Sequence, residues 1–474
     1  MKIYVDNKLI WLATGLTSFA LAGCQNGRTS NEKPNVIFIT VDDMNGYGVL
    51  DQYAPVRTPN LDKFRDQSIN FVAASCTSPV SVPSRASFFS GLYPHSTGAY
   101  LNGSDPWKTS PILKVTESIP ECFKRNGYDT WGRGKIFHAQ LEEGRQEKMF
   151  NNRPIFQGGF GPFPEEKNWL GGTRFYAIQP WEEPDTVHPD VVNTSAAISF
   201  LEQEHDKPFF LYLGLWRPHC PYNAPKRFFD QYNMNDITLP EGYLKGDLDD
   251  VPVLGRELVD SLKKFITAGW DYKELWRKFI MAYCANNTFA DWNIGRVLEA
   301  LDKSKYGKNT IVVFCSDNGY QCGEKERWEK GTLWEASDYV PFMIRFPGVK
   351  PAKCVRTVSL VDIYPTLVDY CKLEAPSHKL EGQSMAPLLK DPSARWDRPS
   401  LTTYGVQYSS VRDERYRYVR YPDGTEEFYD HSNDPHEFNN LALKPEYKKE
   451  IVRLGTFIPQ KWAVSLGGRR EVQR

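Results

Sequence analysis

The sequence lacks several features that would place it at once in a common class of proteins. None of its nine cysteines belongs to a C-x-x-C pair, which argues against a structural zinc site. A formal net charge of -1 gives no basic surplus, so we expect no nucleic-acid partner. There is no internal repeat, no long low-complexity tract and no apolar run long enough to cross a membrane stably. With 41% hydrophobic and 25% charged residues over 474 positions, the chain suits one large globular domain plus a smaller one.

The N-terminus resembles an export signal. Two lysines precede the short apolar stretch Leu9–Ala22, whose last residues begin the letters "LAGC", which resemble a bacterial lipobox. We therefore predict a lipoprotein signal peptide at 1–23, a flexible tether at 24–34 and lipidation of Cys24. The protein would then be exported and anchored by lipid in the bacterial envelope, at the outer membrane, in the periplasm or at the cell surface. An ordinary signal peptide with a chance cysteine is the alternative.

Short apolar runs alternate with stretches of helical spacing along most of the chain. Strands buried on both faces are typical of continuous apolar runs such as "NVIFITV", "FFLYLGL" and "TIVVFCS". We predict an α/β fold over 35–384, a large, mostly parallel sheet flanked by helices. Beyond about Met385, polar and aromatic residues alternate around the turn pair Asp423-Gly424. This pattern predicts a smaller C-terminal antiparallel sheet with a helix, in a subdomain at 385–474.

Polar residues stand where the predicted strands end. They are Asp42, Asp43, Lys135, His138, His219, Asp317 and Asn318. In such sheets, ligands bind outside the carboxyl ends of the strands. The oxygen ligands among these residues suit calcium or magnesium better than zinc, because no cysteine or paired histidine accompanies them. A single Asp-Asp pair is more often a turn or a helix cap, but several acids at separate strand ends favour a metal site.

The stretch "SVPSRASFFSG", from Ser81 to Gly91, carries two serines and an arginine at the start of a predicted helix. Pro83 suits a first helical turn, and Ser84 is a good cap-type residue. The pattern indicates a loop that brings Ser81 and Arg85 to a helix N-terminus, where backbone N–H groups and the helix dipole favour an anion. A capped helix start with a surface arginine is the alternative.

These segments resemble, in the right order from about Asn35 to Leu441, the motifs of the type I sulfatases of the alkaline-phosphatase-like superfamily. The segment "NVIFITVDDM" resembles the family's opening strand with its first metal acids. The segment "SVPSRASFFSG" resembles the family's signature C/S-x-P-S-R. The segment "GRGKIFH" resembles the family's G-K-x-x-H segment, and "SDNG" resembles its second metal pair. The segment "WEKGTLWE" resembles the segment that carries its sulfate-binding lysine. The text of "GKIFH" and "RPHCP" is closer to the iduronate-2-sulfatase branch than to the arylsulfatase branch.

The resemblance implies a sulfatase, a sulfuric ester hydrolase, that uses a modified residue. In the family, the first signature residue is oxidised to formylglycine (3-oxoalanine), and here that residue is Ser81 rather than a cysteine. The chain therefore looks like a Ser-type sulfatase, which requires a maturing enzyme able to oxidise serine, such as the radical-SAM type. The hydrated aldehyde carries two hydroxyls: one attacks sulfur, and the other, once deprotonated, expels sulfate.

The resemblance also implies roles for individual residues. The ligands of one calcium ion, with magnesium as the alternative, would be Asp42, Asp43, Ser81, Asp317 and Asn318. Lys135 and Lys330 would bind sulfate oxygens. Arg85 would orient the formylglycine, His138 would act on its hydroxyl as a base during sulfate release, and His219 would protonate the leaving sugar oxygen.

The substrate expected from this resemblance is a sulfated polysaccharide or its oligosaccharides: ulvan or another algal glycan, or a glycosaminoglycan. Candidate sugar contacts are Trp107, Trp216, Arg217 and Arg327, each of which could equally be wall packing. One alternative function is a phosphatase or phosphodiesterase of the same superfamily that uses unmodified Ser81. No D-x-x-x-H or H-x-H cluster for its two zinc ions is present in the sequence. Another alternative is a non-catalytic, glycan-binding surface lipoprotein.

Overall fold

The described part of the chain, in a computed structural model, comprises residues 33–49, 55–152, 158–163, 177–182, 184–259 and 272–468. The predicted signal peptide, Cys24 and most of the tether lie outside these residues. None of the described helices has the length and apolarity needed to cross a membrane. Residues 34–474 cluster as one compact unit, and the boundary at 384/385 stays a prediction.

The strands of the described residues build one large sheet and three small ones. Their bounds are β1 Asn35–Asp42, β2 Ile69–Phe71, β3 Ala74–Ser75, β4 Asp129–Gly134, β5 Phe209–Pro218, β6 Thr310–Ser316, β7 Gln321–Cys322, β8 Trp328–Glu329, β9 Phe342–Arg345, β10 Ala352–Cys354, β11 Val358–Ser359, β12 Ser400–Thr403, β13 Ser409–Arg412, β14 Tyr416–Arg420 and β15 Glu426–Asp430. The large sheet has the order β10-β2-β9-β6-β1-β5-β4. Its pairs are parallel except those of β9, which runs antiparallel to both neighbours. The predicted large, mostly parallel sheet is confirmed.

The longer helices of the described residues are α1 Pro59–Arg65, α2 Ser81–Ser90, α3 Ile119–Arg125, α4 Pro189–Leu201, α5 Tyr272–Lys303, α6 Ile363–Tyr370 and α7 Lys448–Gly455. Shorter α-helices span Gly46–Val49, Pro94–Thr97, Pro106–Thr109, Pro111–Val115, Arg145–Met149, Lys226–Phe229, Val253–Arg256, Glu335–Asp338 and Ala386–Lys390. Single 3₁₀ turns occupy Asp185–Val187, Met234–Asp236, Glu257–Val259, Gly307–Asn309, Glu324–Glu326, Leu360–Asp362 and Pro445–Tyr447.

The central strand β1 is buried on both faces, because successive side chains of a strand point to opposite sides. On one face, Val36 and Phe38 join a hydrophobic cluster with residues of α2, α3 and α6. On the other face, Ile37 and Ile39 join a cluster with residues of α1, α4 and α5. Helices therefore cover both faces, as continuous apolar strands require.

The C-terminal strands β12 to β15 form a four-stranded antiparallel sheet in sequence order, as predicted. The turn at Asp423-Gly424 joins β14 to β15, and Gly424 has a φ of 83°. The spacing predicts a helix from about Lys444 to Trp462, but α7 has only eight residues. Its buried Ile451 and Leu454 pack against this sheet. The residues after Leu454 are mostly exposed or half-buried, so a longer helix would bury little additional apolar surface.

Candidate active site

Four adjacent parallel strands, in the order β6-β1-β5-β4, bring the predicted site residues to one edge of the large sheet. Asp42 is the last residue of β1, and Asp317 directly follows β6. Lys135 directly follows β4, and His219 directly follows β5. The carboxyl ends of parallel strands meet at one edge, so residues far apart in sequence become neighbours.

Close backbone packing places Lys135 within this group. A Cβ atom on Gly214 would lie 1.6 Å from the carbonyl oxygen of Lys135. One on Gly134, which has a φ of +81°, would lie 2.1 Å from the Gly214 oxygen. Because neither position has room for a side chain, the ends of β4 and β5 approach closely. The Lys135 ammonium donates a hydrogen bond to Asp42.

The helix α2 begins at Ser81 itself, so Ser81 occupies the first turn rather than a preceding loop. The residue at the N-cap position is Val80, with extended backbone, and not Ser84 as its residue type suggested. Instead, the Ser84 hydroxyl donates to the carbonyl oxygen of Asp317 and ties α2 to the end of β6.

The Ser81 hydroxyl is buried among the predicted metal ligands. It donates to Asp42 Oδ1 at 3.0 Å and lies 3.3 Å from Asn318 Oδ1. Lys330 Nζ donates to the same hydroxyl at 3.3 Å and also to Asp43. A nucleophilic oxygen thus sits between carboxylate oxygens and a positive charge, next to the first backbone N–H groups of α2.

The donor set at this site fits a hard cation. One carboxylate oxygen from each of Asp42, Asp43 and Asp317 lies within 4.8 Å of the other two, and all three residues are buried. The Asn318 amide donates to Asp43 Oδ1 at 2.8 Å, which orients its own carbonyl oxygen toward Ser81. Asp43 has a φ of 70°, a strained value of the kind that concentrates at functional sites. Three buried carboxylates and an amide oxygen are ligands suited to calcium or magnesium.

Electrostatics differ between the two adjacent acids. Burial opposes ionisation of Asp42, but the positive charges of Lys135, Lys330 and Arg85 outweigh it and hold its pKa well below the usual range. Burial raises the pKa of Asp43 to about 6, with Lys330 opposing the shift. Burial also lowers the pKa of Lys135. Desolvated carboxylates that are only partly compensated attract a further cation.

The Arg85 guanidinium holds the site together rather than contacting Ser81 through any hydrogen bond of the described residues. Its Nε donates to Asp317 Oδ2 at 2.7 Å. Its Nη1 donates to the carbonyl oxygen of Lys135 at 2.9 Å and to the Tyr212 hydroxyl at 3.2 Å. Its Nη2 is buried without a partner among the described residues. That unused donor suits an additional acceptor at the site.

The two predicted catalytic histidines lie at the edge of this cluster. His219 Nε2 is 3.6 Å from Asp43 Oδ2, and burial lowers the pKa of His219 to about 3. Burial lowers the pKa of His138 well below its usual value, and Lys135 contributes to the shift. His138 has a φ of 55°, and its Nδ1 is buried without a partner among the described residues. Both imidazoles are neutral in the free site.

Three cationic residues, Lys325, Arg327 and Lys330, lie close together in sequence. Among the described contacts of these three, those of Lys330 reach an acid of the site. Lys325 Nζ donates instead to Asp247 Oδ1 at 2.9 Å. Arg327 donates to the Lys330 carbonyl oxygen at 2.6 Å, so it supports the backbone of that lysine. Trp107 lies in the hydrophobic core against Phe137 and Arg145, as its wall-packing alternative expects.

Sequence reasoning missed Phe160, whose ring contacts both histidines. It also missed Tyr283, whose hydroxyl donates to the Asp43 carbonyl oxygen at 2.7 Å and accepts from the Asn45 N–H at 3.0 Å. Phe160 lies in a glycine-rich segment and Tyr283 in the middle of α5, so no local pattern connects either one with the site.

A buried hydroxyl on α2, ligands for a hard cation and two lysines thus meet at the carboxyl edge of the large sheet, an arrangement suited to hydrolysis of an ester of an oxyanion. The Sulfatase family model matches residues 34–373, and the model described as N-sulphoglucosamine sulphohydrolase, C-terminal, matches residues 323–461. The chain therefore belongs to the sulfatase family and is a sulfuric ester hydrolase, which confirms the resemblance noted in its motifs.

Curated relatives agree with this assignment, and a solved structure shares the fold. A sulfatase of Formosa agariphila is 35% identical over 447 residues, covering 90% of this chain and 87% of its own length. An ulvan-active sulfatase of the same organism is 28% identical, covering 91% and 82%. Iduronate 2-sulfatase of Mus musculus is 30% identical, covering 71% and 64%. The phosphonate monoester hydrolase of Agrobacterium radiobacter shares the fold, with a TM-score of 0.68, 23% identity and coverage of 89% and 94%.

Proposed function

We propose that this sulfatase hydrolyses sulfate esters of a sulfated polysaccharide or its oligosaccharides, using a formylglycine made from Ser81 and one bound calcium ion. Magnesium is the alternative metal. The observation that carries the proposal is the position of the Ser81 hydroxyl, 3.0 Å from Asp42 Oδ1 and 3.3 Å from both Asn318 Oδ1 and Lys330 Nζ. This position joins the residue to be oxidised, the metal ligands and a sulfate-binding cation in one place.

The formylglycine hydrate supplies a pair of hydroxyls on one carbon, so that sulfate can be transferred and then expelled without a second nucleophile. Lys135 and Lys330, both buried, hold the sulfate oxygens by fixed positive charge. His219 donates a proton to the leaving oxygen, and His138 takes one during release. A bound sulfate ester brings negative charge beside the imidazoles. Their protonated forms are therefore more favoured with substrate bound than in the free site.

The proposed substrate class is a sulfated glycan, either ulvan or another algal polysaccharide, or a glycosaminoglycan. It is supported by the ulvan-active relative and by the iduronate 2-sulfatase relative. The lipobox-like sequence before Cys24 supports export and lipid anchoring in the bacterial envelope, where such polymers are met. A serine-oxidising maturing enzyme is the required partner.

The first test is mass spectrometry of the tryptic peptides that cover Ser81, from protein made in a host with a Ser-type maturing enzyme. We expect the loss of two hydrogens at Ser81, together with aldehyde reactivity. Ion chromatography should then detect free sulfate from at least one of ulvan, chondroitin sulfate and heparan sulfate oligosaccharides. Matured protein that releases no sulfate from any of them would contradict the proposal.

Metal analysis of the same protein separates the proposal from a phosphatase that uses unmodified Ser81. One calcium or magnesium per chain is expected, whereas two zinc ions with an unmodified serine would favour the phosphatase. Mass spectrometry of the mature N-terminus, expected to be a lipidated Cys24, tests the anchor.

A further inference from the structure

The aromatic ring of Phe160 lies beside both His138 and His219 at the edge of the charged site. Its centroid is 4.3 Å from that of the His219 ring and 6.0 Å from that of His138. Lys135 Nζ is 5.2 Å from the same centroid, and the Trp216 ring packs edge-on at 4.8 Å. The ring therefore contacts both residues assigned to proton transfer and one assigned to sulfate.

A single buried guanidinium, that of Arg217, binds the backbone of both Phe160 and His219. Arg217 Nη2 donates to the carbonyl oxygens of Phe160 at 2.6 Å and Gly161 at 3.2 Å. Arg217 Nη1 donates to the His219 carbonyl oxygen at 3.0 Å. The backbone N–H of Arg217 in turn donates to Asp190 Oδ2 at 3.0 Å. Because one side chain binds the backbone of both residues, the spacing of the two backbone segments that carry the rings is set by the fold.

Burial shows on which side a substrate can lie. Ser81 and Asp42 are fully buried, and Lys330 is 2% exposed. The His219 side chain, by contrast, is 13% exposed. The group bonded to the ester oxygen must therefore extend past His219 toward solvent, and there it meets the ring of Phe160.

We propose that Phe160 is a specificity-determining residue that packs against the pyranose ring carrying the sulfate ester. The inference rests on the proposed function, because it takes His219 as the residue facing the leaving oxygen. A pyranose has an apolar C–H face and a polar rim. An aromatic ring beside a histidine matches both, since the ring covers the apolar face while the histidine reaches the ester oxygen. The contact selects a sugar ring over a small acyclic alcohol as the leaving group.

Equilibrium binding tests the contact without turnover. The probes are sulfated disaccharides from ulvan, chondroitin sulfate and heparan sulfate, and inorganic sulfate is the control ligand. Unconverted Ser81 protein is titrated by calorimetry as wild type, Phe160→Leu, Phe160→Tyr and the surface control Phe457→Leu. For the best-bound disaccharide we expect Phe160→Leu to raise Kd about tenfold, and Phe160→Tyr to stay near wild type. Inorganic sulfate should bind all four proteins alike, within about twofold.

Three results would overturn the inference. Phe160→Leu could leave disaccharide binding unchanged. It could instead weaken disaccharide and inorganic sulfate equally, which would indicate a general disturbance of the site. Wild-type protein could bind inorganic sulfate but none of the disaccharides.

In matured enzyme, the same substitution should raise KM by a similar factor and change kcat little. Failure of the proposed function looks different, because matured wild type would then release no sulfate while the binding contrast at Phe160 could still be measured.

Discussion

Two buried charge clusters in this molecule have similar composition and different character. Each contains three carboxylates together with cationic side chains. The site cluster consists of Asp42, Asp43, Asp317, Arg85, Lys135 and Lys330. The Arg417 cluster consists of Glu335, Asp338, Glu437, Arg412, Arg417 and His431. Comparing them shows which arrangement of buried charge maintains a fold and which one supports chemistry.

In the Arg417 cluster, planar donors occupy the carboxylate oxygens. Arg417 binds Asp338 through two hydrogen bonds, at 2.7 and 3.0 Å, and its Nε lies 2.6 Å from Glu437 Oε1. His431 Nε2 is 2.9 Å from the same Glu437 oxygen. Although Glu335, His431 and Glu437 could by position alone hold a metal, a guanidinium already provides the positive charge. The cluster joins the C-terminal sheet to the helix Glu335–Asp338.

The site cluster binds its acids with a different kind of donor. Its acids are met by lysine ammonium groups, which are compact point charges, and by one serine hydroxyl. Arg85 Nη2 and His138 Nδ1 are buried without partners among the described residues, but so is Arg412 Nη1 of the Arg417 cluster, so unpartnered donors do not distinguish the two clusters. The comparison separates acids held by planar guanidinium groups from acids held by point charges and a hydroxyl.

The largest effect should come from Ser81→Ala. It removes the proposed nucleophile, so kcat should fall by roughly 10⁴-fold or more, since a nucleophile has no substitute. The unfolding temperature should stay close to that of wild type, because only the contacts of one hydroxyl are lost. Sulfate release and scanning fluorimetry, on matured wild type and on the variant from the same host, check both statements. Substantial residual turnover would show that the site cluster is not the reacting centre.

The Arg417 cluster should show the opposite behaviour. Replacing Arg417 by Met leaves three buried carboxylates without their shared cation, which should cost about 3–5 kcal/mol of unfolding free energy. A matched control is Arg395→Gln, which breaks an arginine–aspartate pair whose arginine side chain is 86% exposed and should cost at most about 0.5 kcal/mol. Urea unfolding measures both. Equal losses for the two variants would show that the Arg417 cluster is not a stabilising unit.

The sequence predicts the site cluster far better than the Arg417 cluster. Asp42 and Asp317 directly follow apolar strands, and the parallel topology brings strand ends together, so local patterns are sufficient. Arg417 stands in "YRYVRY", which has the alternation of an ordinary surface strand. Its burial depends on Glu335 and Glu437 arriving from other segments, and no spacing encodes that meeting.

Local backbone and ring geometry was also beyond sequence reasoning. The positive φ of Asp43 and His138 arises from the surrounding packing, because neither residue type favours that conformation as glycine does. Phe160 lies 59 residues before His219, and Arg217 binds the backbone of both residues where their rings pack together. Tertiary contacts of this kind have no periodic signature, whereas the sheet and its flanking helices do.

Metal removal should separate the two clusters directly. Chelation with EGTA should abolish sulfate release and lower the stability of wild type by about 2–3 kcal/mol relative to protein in excess calcium. Glu437→Gln, which alters only the Arg417 cluster, should keep this response, whereas Asp317→Asn should lose most of it. Scanning fluorimetry with and without calcium makes the measurement. A response that is lost in Glu437→Gln and kept in Asp317→Asn would place the metal in the wrong cluster.

The smallest effect concerns the pH dependence of the Arg417 cluster. Burial opposes ionisation of Glu335, but Arg412 and Arg417 outweigh it and lower its pKa. A carboxyl with a lowered folded-state pKa stabilises the protein above its unfolded pKa, and this stabilisation is lost as the pH falls toward the folded-state value. The stability difference between wild type and Glu335→Gln should therefore be greatest near neutral pH. It should shrink by about 1 kcal/mol as the pH falls below the ordinary glutamate pKa of about 4.3.

Urea midpoints of the two proteins at several pH values test this, and taking the difference cancels the titration of groups that both proteins share. A gap that stays constant at acid pH would mean that the arginines do not hold Glu335 ionised. Each cluster pairs an acid whose pKa is lowered, Glu335 or Asp42, with an acid whose pKa burial raises, Asp338 or Asp43. The test at Glu335 therefore shows whether guanidinium groups keep a buried acid ionised in the Arg417 cluster, as the lysines do for Asp42 in the site cluster.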